Sequence, residues 1–92
     1  MYLINITVNG DITAVEHEAL FTRHVSWFQQ YFNAGKFVLI GPYSDRERAG
    51  VIIAHTESRE ELDAILREDA YHPNLAEYEI REFIPKMVGS WQ

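Results

Sequence analysis

Apolar and polar positions alternate with a period of two through Tyr2-Leu3-Ile4-Asn5-Ile6-Thr7-Val8, which puts Tyr2, Ile4, Ile6 and Val8 on one face of a strand. Asn9-Gly10-Asp11 breaks that strand. From about residue 15 to residue 34 the period becomes helical, and Gly35 stands where a helix would end. Residues 36–40 read as a short strand stopped by Gly41-Pro42. A polar loop, residues 43–49, leads to a third strand over residues 50–55. Ser58-Arg59-Glu60-Glu61 has capping-box spacing and opens a second helix, expected to run to about Ala70. His72-Pro73-Asn74 is a turn, and residues 76–84 form the last expected strand. The tail, residues 85–92, carries Met87, Val88 and Trp91 and is expected to reach a partner subunit.

The order β-α-β-β-α-β predicts a ferredoxin-like α+β fold in one domain, residues 1–92, with both helices on one face of a four-stranded antiparallel sheet. The two middle strands are apolar on both faces: Phe37, Val38, Leu39 and Ile40, then Val51, Ile52 and Ile53. Helices cover only one of those faces, and soluble monomers rarely leave a whole apolar sheet face bare. A second copy packed sheet to sheet is the simplest cover. A homodimer is expected.

Two polar residues interrupt the apolar faces. With Leu20 at 0° and about 100° per residue, Trp27, Tyr31, Phe28, Phe21, Phe32 and Val25 fall between about −20° and +140°. His24 sits at about 40°, well inside that arc. An imidazole there loses water and needs partners for its ring nitrogens, whether as a core histidine or as part of a site. In the second helix Asp69 falls on the same stripe as Leu62, Ile65 and Leu66, in the last turn, where the helix dipole disfavours negative charge. Either the helix frays before Asp69 and the carboxylate reaches water, or it has a compensating partner. The topology carries His24, Asp69 and the Ser44-Asp45 loop toward one end of the sheet. A histidine facing a carboxylate in a half-buried cleft is a general acid/base pair.

Composition narrows the function classes. The chain has 92 residues, 47% hydrophobic and 24% charged, as a globular domain does. With 8 Lys+Arg against 14 Asp+Glu, the net charge is −6, which disfavours nucleic-acid backbones and anionic membranes. No run is apolar for long enough to span a bilayer, and no signal peptide is visible, so a cytoplasmic location is expected. There is no cysteine, hence no disulfide or thiolate chemistry.

Competing motifs are weaker. His17 and His24 lie seven residues apart, about 10.5 Å along a helix, too far to share one ion. A His24–Asp69–His72 set is the one metal reading that spacing leaves open; no metal is expected. RNA-recognition modules share this strand order but need stacking aromatics and a basic residue on the third strand, which Gly50-Val51-Ile52-Ile53-Ala54-His55 lacks. Gly41-Pro42 does not lead into a helix, so no phosphate cradle is present. Ser44 has no nucleophile-elbow motif and reads as a loop serine or a substrate contact.

Arg23-His24, Gly35, Gly41-Pro42 with Asp45 and Gly50, Ser58…Glu61 and Asp69-Ala70-Tyr71 together resemble the YciI-like (YCII-related) family. The likeness runs from Tyr2 to about Lys86. The chain departs from the family at Ala70, where proline is usual, and in its short 43–49 loop. The resemblance implies a dimeric α+β barrel and an active site built on a histidine and an aspartate. The histidine is His24, and its partner is Asp69 or Asp45, with helical phase favouring Asp69. It further implies cofactor-free proton transfer on small oxygenated, often aromatic compounds, as in lyase-type dehydrochlorination or lactone isomerisation. Substrate contacts would come from Ser44, Tyr43, Phe28, Tyr71 and Pro42. The competing expectation is a non-catalytic ligand-binding or regulatory module.

Overall fold

The computed structural model describes residues 1–90. Its elements are β1 (Tyr2–Val8), α1 (Ala14–Asn33), β2 (Phe37–Pro42), β3 (Ala49–Ala54), α2 (Arg59–Leu66) and β4 (Ala76–Glu82). The strands form one antiparallel sheet in the order β2-β3-β1-β4. This is the ferredoxin-like α+β fold. The expected contact of Trp91 with a partner lies outside the described residues.

Local chemistry explains the element ends. Thr13 caps α1 by accepting the Glu16 N–H at 3.2 Å, which satisfies one of the unpaired donors of the first turn. Gly35 ends the helix in the left-handed region at φ 79°, with the Lys36 N–H bonded back to the Tyr31 carbonyl. Ser58 caps α2 in the same way, accepting the Glu61 N–H at 3.1 Å, and Glu61 returns to accept the Glu57 N–H at 2.8 Å.

Two boundaries differ from the sequence expectation. Strand β2 continues through Gly41 and Pro42, which pair with Val51 and Gly50. β2 is an edge strand, where a proline lacking an N–H is tolerated. Helix α2 stops at Leu66 instead of near Ala70. Short bonds from the N–H groups of Glu68 and Asp69 to the carbonyls of Ile65 and Leu66 tighten the chain into successive turns.

The core lies between the helices and the inner sheet face, centred on Ile4, Ile52, Phe37 and Leu62. Trp27 joins the two helices, donating its indole N–H to the Ile65 carbonyl at 2.9 Å. It is the only residue of α1 that is fully buried. Phe21 and Phe32, placed on the apolar arc by phase, remain 48% and 51% exposed because that flank of α1 stands over a cavity. On the outer sheet face Leu3, Leu39, Val51 and Ile53 adjoin across β1, β3 and β2, while Glu77, Glu79 and Arg81 make the β4 side polar.

Candidate active site

His24 enters the cavity from the middle of α1, packed among four aromatic rings. Phe28 meets it edge-on at 5.3 Å, and Tyr71, Trp27 and Phe21 lie at 5.2, 5.4 and 5.9 Å between ring centroids. These contacts fix the plane of the imidazole. Its Nδ1 stands 2.6 Å from Asp69 Oδ1.

Asp69 lies in the turn after α2 and is 3% exposed. The helix ends before Asp69, yet the carboxylate does not reach water; of the two sequence alternatives the compensating partner holds, and that partner is His24. Its second oxygen, Oδ2, accepts the Tyr78 hydroxyl at 2.6 Å. Tyr78 stands on the inner face of β4, opposite Ile6. Burial, and then its bond to Asp69, push the Tyr78 phenol far up, so it stays protonated and donates. Both carboxylate oxygens are thus hydrogen-bonded.

With Nδ1–H donated to Asp69, the neutral imidazole presents Nε2 as a lone pair. Nε2 has no hydrogen bond among the described residues, and no buried side-chain nitrogen or oxygen there lacks a partner. Nε2 therefore opens onto the cavity, whose lining includes His24. The cavity holds about 640 Å³ between α1 and the β2–β3 part of the sheet, a size suited to a small organic molecule.

Of the other expected residues, Phe28, Tyr43, Tyr71 and Pro42 line this cavity. Ser44 is exposed and is not part of its lining. Asp45 faces a different recess, with Asn5, Thr7, Glu77 and Glu79 on the outer sheet face. Asp45 and Ser44 do not join His24 in the cavity: Tyr43, Arg46 and Arg48 of the same loop line it, while Asp45 turns to the outer recess. Tyr43 donates its hydroxyl to Asn5 Oδ1. The His24–Asp69–His72 set is not formed either: His72 packs against the Tyr78 ring, and no three His, Asp or Glu side chains among the described residues are grouped to hold a metal.

Sequence reasoning missed three lining residues, His17, Arg46 and Arg48, and the Asp69 partner Tyr78. His17 lies on the same face of α1 as His24, two turns nearer the N-terminus, and bonds through Nδ1 to the Tyr71 hydroxyl at 3.0 Å. Burial, helped by the charges of Arg48 and His24, holds His17 below its ordinary value. The alternation Ala76-Tyr78-Ile80 was the available signal for Tyr78; nothing local marked the arginines.

The model of the YCII-related domain family matches residues 1–84. The chain belongs to that family. No curated protein matches it. Within this YCII-related domain, the match covers every described element and the whole His24–Asp69–Tyr78 chain of hydrogen bonds.

Proposed function

We propose that the protein is a cofactor-independent enzyme of proton transfer, of lyase, isomerase or dehydrochlorinase type, acting on a small oxygenated molecule. The observation that carries this reading is the 2.6 Å bond from His24 Nδ1 to a buried Asp69, with Nε2 left open to the cavity. His24 Nε2 takes a proton from a carbon or hydroxyl of the substrate, and Asp69 steadies the imidazolium. In an isomerisation the same proton returns at another carbon. In an elimination the electron pair left by the proton expels a leaving group from the neighbouring carbon, and the imidazolium gives its proton to water.

The experiment is hydrogen–deuterium exchange at substrate carbons, followed by proton NMR in D₂O for a panel of phenols, quinols, lactones and carboxylic acids. Wild type is expected to promote exchange in one class, with a loss of about 10²- to 10⁴-fold in a folded His24→Asn variant. No exchange in any class would sink the reading.

One observation favours a second reading. The His24–Asp69–Tyr78 bonds also tie α1 to β4, as a strut would in a non-catalytic ligand-binding module. In that case His24→Ala melts far earlier than wild type, and no compound is turned over.

The homodimer belongs to this proposal as well. Val38 and Leu39 are about half exposed, at 49% and 48%, beside Ile53 and Leu3 on a continuous outer face. A second copy of this face is its natural cover. Analytical ultracentrifugation should give a dimer that Leu39→Lys converts to monomer; a monomeric wild type would remove this part.

A further inference from the structure

The cavity carries a charge pattern opposite to that of the chain. The sequence has 14 Asp+Glu and a net charge of −6. None of those carboxylates belongs to the cavity lining, whereas Arg46, Arg48, His17 and His24 all do. Asp45, on the same loop as the arginines, faces the outer recess with Glu77 and Glu79, a recess that Arg46 also lines. Asp69 sits behind the His24 ring with both oxygens bonded.

Arg48 is held in an unusual way. Its backbone lies in the left-handed region at φ 53°, rare for a residue with a long side chain. Its Nη1 donates to the carbonyls of Asn9 and Ile12 at 3.2 and 3.1 Å. Those bonds clamp the guanidinium beside the N-terminal end of α1, the end nearer His17. Nε and Nη2 have no partner among the described residues, and since no buried donor there is unpaired, both are open. Arg46 is exposed at the rim and forms no ion pair among the described residues. Arg48 thus offers free donors inside a cavity of an acidic protein, between aromatic walls, and Arg46 stands on the ridge between that cavity and the acidic outer recess.

We infer that the cavity takes a small carboxylate with an unsaturated or aromatic body, its acid group held by Arg48 and Arg46 and its body extending toward His24. This rests on reading His24 as the acid–base residue, and it adds which end of the substrate is fixed and by what. The planar guanidinium favours a carboxylate through paired charge-assisted bonds. His17 and His24, seven residues apart on α1, both line the cavity, so its helix side extends over about 10.5 Å of helix rise, enough for an elongated ligand.

The test is calorimetric binding of trans-cinnamate and its uncharged isostere cinnamamide to wild type, Arg46→Gln, Arg48→Lys and His24→Asn. Cinnamate is expected to bind at least about tenfold tighter than cinnamamide in wild type. That gap should narrow in both arginine variants and on raising the salt, and persist in His24→Asn. Equal affinities, or binding of neither probe, overturn the inference. So does a gap that vanishes in His24→Asn but survives in both arginine variants, because the anion would then sit on the imidazole. Should Arg48→Lys fail to fold, Arg46→Gln and the salt dependence decide alone. The two readings fail separately. Cinnamate selectivity without carbon exchange on any compound sinks the acid–base role alone. Exchange confined to uncharged compounds, with no cinnamate preference, sinks the carboxylate alone.

Discussion

His24 Nδ1 and Asp69 Oδ1 stand 2.6 Å apart although the residues are 45 positions apart in the chain, one on a helix and the other in a turn. Asp69 is buried and His24 nearly so, with side-chain exposures of 0% and 12%. Removing one member of such a pair leaves the other without its compensation.

Asp69→Asn is expected to lower stability by about 1–3 kcal/mol, because the amide cannot supply two charged acceptors to His24 and Tyr78. It should also depress proton transfer by about 10²- to 10⁴-fold, since the imidazolium loses its counter-charge. Urea unfolding and the deuterium-exchange assay measure the two effects on one sample.

Tyr78→Phe removes only the hydroxyl that donates to Asp69 Oδ2 at 2.6 Å. The buried oxygen is left unsatisfied, at a cost of about 1.5–3 kcal/mol. Denaturation midpoints of wild type and Tyr78→Phe test this, and an unchanged midpoint would mean that water replaces the phenol.

Gly50→Ala should destabilise the cavity wall. A Cβ at Gly50 would lie 2.9 Å from the Gly41 carbonyl oxygen, a contact that backbone must move to relieve. Overpacking of this kind costs about 1–3 kcal/mol. Loss of thermal stability, with weakened binding to the cavity that Gly50 lines, is the expected result.

Protonation of His17 should weaken the fold. Desolvation, then the charges of Arg48 and His24, hold its folded value below the ordinary 6.5. The unfolded chain therefore binds the proton first as pH falls, and ∂ΔG/∂pH is positive through that window. The full contribution is present above the unfolded value of about 6.5 and is lost as pH falls through the lower folded value. Unfolding measured from pH 7.5 downward should show a shallower pH dependence in His17→Gln than in wild type. Identical slopes would refute it.

The order of elements was legible from the chain because each rests on short-range chemistry. The alternation in β1, the caps at Thr13 and Ser58 and the left-handed Gly35 act over a few residues. The pairing of His24 with a carboxylate was half legible. Helical phase put His24 and Asp69 on inward stripes, yet Asp69 reaches His24 from a turn, since α2 ends at Leu66.

By itself the sequence determined the βαββαβ order and set two ionisable groups, His24 and Asp69, on apolar stripes. Tertiary structure alone decided which groups meet. The 43–49 loop sends Asp45 to the outer recess while Arg46 and Arg48 line the cavity, Tyr78 becomes Asp69's second partner, and Arg48 turns its guanidinium onto the β1–α1 connection. The physical reason is range. Caps and periodicity are set by neighbours within a turn or two, whereas a hydrogen bond across 45 residues depends on where the whole sheet and both helices come to rest.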